Sequence, residues 1–458
     1  MRLRAAHVIA ATAVAAALFI AVAEPAGLSP RGAHAAGLCL GVIGLLGTAI
    51  VPEFVAVLIF FILAILLQVA PPAVVFSGLT STPFWLVFGG LVISVGVRRT
   101  GLAERLAGMV ARRLSTRYAM VLAGVVLLSV ALALVMPSTM GRMLVLMPIV
   151  LALAEGLGFR PGSNGYNALA LAVPFATMMP GFAILPATVP TVLFAGMSET
   201  LYGVSINYAG FLWLHFPVLG LLKAVAIWAA LVLLFPDRVR RQATLPAAGT
   251  MGRDERLMAL LLLLALALWM TDVLHGLSPA WVSLGIATLC LLPFIGLVPA
   301  GEFNKEMPFA TLLYLAGIIG LGAVLAESDA DEVLARWAVA YLPFAPGEGV
   351  RTMLLIDGLG AAIAALTTQP GTPLLLTPLA ADIARAAELP LETVLMMQVL
   401  GFSTVIFPYQ TPPVVVGMQI TGVPLLACLK LSLVVFAVTA LVLIPLDILW
   451  WKLLGWLP

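Results

Sequence analysis

The sequence predicts an all-α polytopic membrane protein made of two inverted-topology repeats, and three observations support this. Of the 458 residues, 62% are hydrophobic and only 10% are charged, whereas soluble domains carry roughly 25% charged residues. Apolar runs near the length of a membrane span recur along the chain, as in residues 54–70 and 257–270. Proline-interrupted apolar segments also recur at matching positions in the two halves. We therefore expect about 11 transmembrane helices.

Residues 1–35 are predicted to form the first transmembrane helix and a loop. This segment has two arginines, an apolar core and then small residues, a pattern shared with signal peptides. Because many further spans follow, we favour an uncleaved helix, and a cleaved signal is the alternative.

Two arginine-rich segments, residues 98–117 and 236–256, predict the topology. They include Arg112, Arg113, Arg240 and Arg241. Positive residues accumulate on the cytoplasmic side, so both segments should lie there. We assign residues 36–235 to repeat 1, 236–256 to a cytoplasmic linker and 257–458 to repeat 2. In a bacterial inner membrane, this places the N-terminus in the cytoplasm and the C-terminus outside.

Two segments are predicted to enter and leave the membrane on the same side, as re-entrant hairpins. The first, 118–159, is interrupted by MPSTMGR, and the second, 352–389, by TTQPGTP. Such polar, proline-containing backbone is tolerated at membrane depth where it lines a cavity. The predicted tips are Pro137-Ser138-Thr139 and Thr368-Gln369-Pro370.

Two further helices, 167–197 and 394–420, are predicted to be broken, because proline removes a backbone donor and clashes with the preceding turn. Thr188 and Pro190 in the first align with Thr411 and Pro413 in the second. A lone proline in a membrane helix often only kinks it, but the recurrence in register favours true breaks. The prolines at the two breaks are Pro186, Pro190, Pro408, Pro412 and Pro413.

Inverted repeats with interrupted helices at matching positions indicate a secondary transporter whose site lies near the bilayer midplane. The freed backbone groups become ligands for substrate and ions, and the N-termini of half-helices suit an anion. We predict alternating access, in which hairpins and broken helices move together against a scaffold formed by the other helices.

At these residues the sequence resembles the divalent anion:sodium symporter family, whose members carry dicarboxylates, citrate and sulfate. The resemblance extends from about residue 37 onward and is sharpest in TGLAERLA (100–107) and in FPYQTPPVV (407–415). It implies a small di- or tricarboxylate or related oxyanion as substrate, and a homodimer. Sodium-coupled transport and exchange are both open.

The resemblance also implies site residues. The family's hairpin tips carry asparagines that bind substrate and help to hold sodium; here Ser138 and Gln369 stand at the tips, and Thr191 and Val414 follow the breaks. Sodium is possible near Ser138, Thr188, Thr368 and Thr411. The expected substrate-binding residues are Ser138, Thr139, Arg142, Thr188, Thr368, Gln369 and Thr411.

Four charged residues lie inside apolar runs. Arg142 is a functional candidate by default: it could bind a carboxylate bidentately, supply the fixed positive charge that sodium supplies in a symporter, or snorkel to the surface. Asp357 could pair with a cation or relay protons, or simply lie near the outer end of its hairpin. Lys223 and Lys430 are interpreted as interfacial anchors.

Several functions lack support in the sequence. It has no phosphate-binding GxxxxGK[ST] loop, and its three cysteines and four histidines have no metal-ligand spacing. No Ser/His or paired-Asp constellation indicates an enzyme. We expect no cofactor other than sodium and no nucleic-acid partner. The alternatives are a channel, a membrane subunit of a multicomponent anion uptake system, or another carrier such as a proton-coupled oxyanion exporter.

Overall fold

The computed structural model describes residues 2–25, 27–48, 50–105, 117–136, 138–239, 250–328, 330, 333, 342 and 344–457. Within these residues the chain is helical and contains no strand, so the all-α prediction is confirmed. Pro137 and the arginines Arg112, Arg113, Arg240 and Arg241 lie outside the described residues.

The first half begins with six described helices between residues 2 and 100. Their bounds are Arg2–Ala23, Pro30–Thr48, Glu53–Leu66, Pro72–Val75, Ser77–Thr80 and Thr82–Thr100. The helices that follow are Tyr118–Val135, Thr139–Gly156, Asn164–Met178, the 3₁₀ turn Pro180–Ala183, Val189–Tyr202 and the long helix Tyr208–Leu234.

The helices of the second half are described from Arg253 onward. Its first helices are Arg253–Met270, Asp272–His275, Pro279–Leu291, Ala300–Glu306 and Phe309–Glu327. Its later helices are Gly349–Leu366, Gly371–Leu376, Ala380–Ala387, Leu391–Ser403, the 3₁₀ turn Pro408–Gln410, Pro412–Thr421 and the long helix Leu425–Leu453.

Five of the described helices are long and apolar enough to cross a membrane by length and composition. They are Thr139–Gly156, Tyr208–Leu234, Phe309–Glu327, Gly349–Leu366 and Leu425–Leu453. The total number of spans, the repeat boundaries and the opposite insertion of the halves remain predictions.

Two helical hairpins lie at corresponding places in the halves. Hairpin 1 joins Tyr118–Val135 to Thr139–Gly156. Its second helix starts at this point because the Ser138 side chain accepts a hydrogen bond from Gly141 N at 3.0 Å, which caps the helix. Hairpin 2 joins Gly349–Leu366 to Gly371–Leu376 and Ala380–Ala387.

Each half also contains a helix that stops and resumes. We name the interruption between Met178 and Val189 break 1, and the interruption between Ser403 and Pro412 break 2. Prolines occupy the first positions of both resumed helices, where proline's missing N–H and its fixed φ cost nothing. The same residue type thus ends one half-helix and suits the start of the next.

The interrupted elements of the two halves pack against each other. The resumed helix Pro412–Thr421 packs on hairpin 1 and on Asn164–Met178, and Val189–Tyr202 packs on Gly371–Leu376 of hairpin 2. Hairpin 2 approaches Leu391–Ser403 so closely that a Cβ on Gly360 would lie 2.7 Å from Gly401 Cα. Only glycine permits this backbone contact, which fixes hairpin 2 to the helix leading into break 2.

Candidate functional site

Both hairpin tips and both breaks line one cavity of about 470 Å³. The volume is typical of a small-molecule site. Its walls at these four places are formed by Ser138, Thr139, Met140, Gly141, Thr188, Val189, Pro190, Gln369, Pro370, Pro412 and Pro413. Residues some 270 positions apart in the chain therefore meet at one place.

Three helices begin at this cavity, at Thr139, Val189 and Pro412. A helix N-terminus carries partial positive charge, so their convergence favours an anion. Pro412 and Pro413 have no N–H, and break 2 therefore offers its helix dipole but few backbone donors.

Gln369 lines the cavity and has an unpaired side-chain amide. Its side chain is fully buried, and neither its Oε1 nor its Nε2 has a hydrogen-bond partner among the described residues. Its backbone N donates to Gln410 O at 3.3 Å, which links the tip of hairpin 2 to break 2. A buried amide without hydrogen-bond partners destabilises the folded protein. We therefore infer that the Gln369 side chain binds a polar ligand.

The predicted hydroxyls divide into two groups. Ser138, Thr139 and Thr188 line the cavity. Thr139 Oγ1 donates to Ala187 O at 2.8 Å, and Thr188 Oγ1 lies 3.0 Å from Thr191 Oγ1.

Their counterparts in the second half lie elsewhere. Thr411 is buried and donates to Pro408 O at 3.1 Å, and Thr368 lines a separate small pocket beside Pro370. The site is therefore unequal, with more hydroxyls from the first half.

Arg142 lies behind the cavity wall and is fully buried. Its guanidinium donates to Met136 O at the tip of hairpin 1, to Thr177 O at 2.9 Å and to Ala187 O at 3.0 Å. It therefore joins the hairpin tip to both sides of break 1, and it does not snorkel to the surface. A further bond, 3.3 Å long, runs to Thr139 Oγ1.

Arg98, which is not among the predicted site residues, also lines the cavity. Arg98 Nη2 donates to Glu306 Oε2 at 2.8 Å, and both side chains are partly exposed. In the sequence, Arg98 belongs to the arginine-rich segment 98–117, whereas in the structure it lies in the last turn of the helix Thr82–Thr100. Its place at the end of an apolar helix, not in a loop, is the sequence feature that could have identified it.

Break 2 has a buried cation of its own. Lys223 Nζ donates to Ser403 O at 2.9 Å, at the end of the helix leading into the break, and Lys223 is fully buried. Its interpretation as an interfacial anchor is therefore wrong. The Gln410 amide oxygen accepts from Ile406 N and Phe407 N at 2.7 and 2.6 Å, and so holds the irregular backbone.

Comparison with known proteins gives a consistent picture. A family model described as the sodium:sulfate symporter transmembrane region matches residues 3–457. A "Membrane protein" of Cupriavidus necator is 26% identical and covers 97% of this chain and 92% of its own.

Two further relatives have more specific names. The "Sodium-dependent dicarboxylate transporter SdcS" of Staphylococcus saprophyticus is 22% identical over 85% of this chain and 80% of its own. The "Citrate/succinate antiporter" of Escherichia coli K12 is 24% identical over 74% and 72%. The solved YdaH transporter of Alcanivorax borkumensis shares the fold, with a TM-score of 0.58, 17% identity, and coverage of 93% of this chain and 99% of that one.

Proposed function

Because the chain belongs to the sodium:sulfate symporter family, we propose that it carries small organic dicarboxylates, of the size and charge of succinate, across the membrane by alternating access. The observation that carries this proposal is the convergence of three helix N-termini and the unpaired Gln369 amide on one cavity. Relatives named as dicarboxylate and citrate/succinate carriers support the substrate class.

A dianion has complementary partners on both hairpin tips, which line this cavity. One carboxylate is bound by the Ser138 hydroxyl and the N-terminus of the helix Thr139–Gly156, and the Gln369 amide reaches the same anion from the opposite hairpin. Arg98 attracts the substrate at the cavity wall, where an exposed cation speeds the encounter. Arg142 does not contact the substrate but positions the first tip and break 1.

The oxygen atoms at break 1 do not form a free site for sodium. Sodium needs a cluster of oxygen ligands, and the carbonyl oxygens of Met136, Thr177 and Ala187 all accept from Arg142. A second positive charge beside the buried guanidinium would be repelled strongly. We therefore assign the guanidinium the place of a bound cation, which makes transport sodium-independent.

Counterflow in proteoliposomes tests the substrate class. Liposomes loaded with unlabelled succinate are diluted into labelled succinate, and citrate, L-tartrate, sulfate and propionate are added as competitors. Because three helix N-termini converge on the cavity, we expect rapid exchange and competition by dianions. Propionate, with one carboxylate, should compete poorly. Exchange of none of the dianions would contradict the proposal.

The homodimer and the orientation of the termini are retained as expectations from the family and from the arginine distribution.

A further inference from the structure

A second group of charges is buried away from the cavity, on three different helices. Lys223 lies on Tyr208–Leu234, Asp357 on Gly349–Leu366 and Asp447 on Leu425–Leu453. Lys223 and Asp447 are fully buried and Asp357 is 8% exposed. The segment Ile444–Leu453, which carries Asp447, packs on Phe216–Leu222, which ends immediately before Lys223. None of the three lines the cavity of the substrate site.

This cluster is bonded to break 2. Lys223 Nζ donates to Ser403 O, as described above, and Asp357 Oδ1 accepts from Thr404 Oγ1 at 2.9 Å. Ser403 and Thr404 end the helix that leads into the break. A change of charge in the cluster therefore acts directly on the residues at which this helix is interrupted.

Asp447 is the unsatisfied member. Neither of its carboxylate oxygens has a hydrogen-bond partner among the described residues. The indole of Trp451, one turn along the same helix, lies near without completing a bond. No ion pair joins Lys223 to either aspartate among the described residues. An unpaired, buried carboxylate is strongly unfavourable.

Charge balance indicates what this carboxylate lacks. One ammonium and two carboxylates leave one net negative charge in a water-poor interior, and one bound proton removes it. The described residues contain no group of three or more His, Cys, Asp or Glu side chains that would hold a metal. A proton needs only a carboxylate oxygen.

The other groups facing Asp447 do not supply the missing charge. His215, on Tyr208–Leu234, is fully buried, and its ring lies 5.7 Å from that of Trp451. Neither ring nitrogen of His215 has a hydrogen-bond partner among the described residues. Lys430 and Lys452, on the same helix as Asp447, are exposed.

Both long helices have a π-helical segment next to these charges. One segment, Phe216–Leu222, ends immediately before Lys223, and the other, Thr439–Leu443, ends shortly before Asp447. The segments start the same number of residues apart as Thr188 and Thr411 do, so they occupy equivalent places in the halves. π-Helical turns inside α-helices are frequent at functional sites.

We propose that Asp447 is a proton-binding site that couples dicarboxylate transport to proton movement. This inference rests on the proposed function. A proton from the solution on one side forms an O–H bond with the Asp447 carboxylate, and the same bond breaks when the proton leaves on the other side. Lys223, which donates to Ser403 O, transmits the change of charge to break 2.

The experiment compares wild type, Asp447→Asn and Asp272→Asn in sodium-free proteoliposomes. Asp272 is a matched control: it is also buried, but its Oδ2 accepts from Tyr208 N at 2.5 Å, and an asparagine oxygen keeps that bond. External pH is fixed, so the substrate species does not change, and internal pH is either equal or one unit higher. Potassium and valinomycin clamp the membrane potential, and internal pyranine reports proton entry.

The readouts are succinate counterflow at equal pH and succinate accumulation driven by the gradient. A gradient of one pH unit supports about tenfold accumulation per coupled proton. We expect wild type and Asp272→Asn to accumulate succinate with proton entry. Asp447→Asn should still exchange succinate but lose accumulation.

Equal gradient-driven accumulation in Asp447→Asn and wild type would overturn the proposal. The proposal would also be overturned if the wild type showed counterflow but its succinate accumulation did not depend on the pH gradient. This second outcome needs only the wild type, so it is decisive even if Asp447→Asn fails to fold. Absence of counterflow in wild type would instead overturn the proposed function.

Discussion

Break 1 and break 2 each interrupt a helix, yet their freed backbone groups are satisfied in different ways. At break 1 one guanidinium, that of Arg142, binds carbonyls from the hairpin tip and from both sides of the interruption. At break 2 the Gln410 amide holds the loop, and the ammonium of Lys223 reaches it from a distant helix. The same proline-interrupted design thus tolerates two different internal cations.

The breaks also differ on the side that faces the cavity. Break 1 contributes Thr188 and works beside the hydroxyls of Ser138 and Thr139. Break 2 contributes only prolines there, and the polar group of the second half is Gln369 on the hairpin tip. One half therefore offers hydroxyls and the other an amide, and substitutions should affect the halves unequally.

Removing the cation of break 1 should have the largest effect. Arg142→Ala leaves the buried carbonyls of Met136 and Thr177 without this donor, at a cost of about 1–3 kcal/mol each, whereas Ala187 O keeps its bond from Thr139 Oγ1. We expect a lower melting temperature in detergent and a loss of succinate exchange of about 100-fold or more. Arg142→Lys keeps the positive charge but lacks the planar guanidinium with its several donors. Its melting temperature and exchange rate should lie between those of Arg142→Ala and the wild type. Wild-type melting and exchange in Arg142→Ala would show that break 1 needs no internal cation.

Removing the amide of the second half should weaken substrate binding without unfolding the protein. A hydrogen bond to a charged group contributes about 1.5–3 kcal/mol, so Gln369→Ala should raise the succinate Kd about 10- to 100-fold.

Gln398→Ala is the matched control. Gln398 is also buried, but its amide bonds Thr377 and Leu376 O at 2.9 and 3.3 Å. This variant should lower stability while leaving Kd near the wild-type value. The reverse pattern in titration calorimetry and thermal melts would show that Gln369 has a structural role only.

A pair of threonine substitutions should sharpen the inequality of the two breaks. Thr188→Val removes a hydroxyl from the cavity and should raise Kd about 10-fold, the lower value for a hydrogen bond to a charged group. Thr411→Val removes the equivalent hydroxyl, which bonds Pro408 O instead, and should leave Kd within about 2-fold. Equal effects in a binding titration would mean that both breaks present hydroxyls to the substrate.

The smallest effect is expected at Arg98, which is partly exposed and paired with Glu306. Arg98→Gln should slow succinate uptake a few-fold at low ionic strength and progressively less as salt is added, because exposed charges are screened. Initial rates at several salt concentrations measure this. A salt-independent defect would indicate direct, desolvated contact with the anion.

The sequence predicted the parts of the fold that depend on local chemistry. Pro190, Pro412 and Pro413 locate the breaks because proline acts on its own turn, and Ser138 locates the start of a helix as its cap. These signals need no knowledge of the tertiary structure.

The direction of long side chains could not be predicted in this way. Arg142 follows Thr139 by three residues in the sequence. Its guanidinium nevertheless lies behind the cavity wall, because two of its acceptors belong to the distant residues Thr177 and Ala187. Lys223 is 180 residues from its acceptor, Ser403. A charge inside an apolar run indicates a buried partner, but only packing shows which one.

We propose that the fixed guanidinium of Arg142 takes the place of a bound cation. Initial rates of succinate exchange by the wild-type protein, measured in potassium medium and in sodium medium of equal ionic strength, test this proposal. We expect equal rates within about 2-fold, because the carbonyls at break 1 already accept hydrogen bonds from Arg142. A rate that requires sodium, and that saturates as sodium is raised, would contradict it.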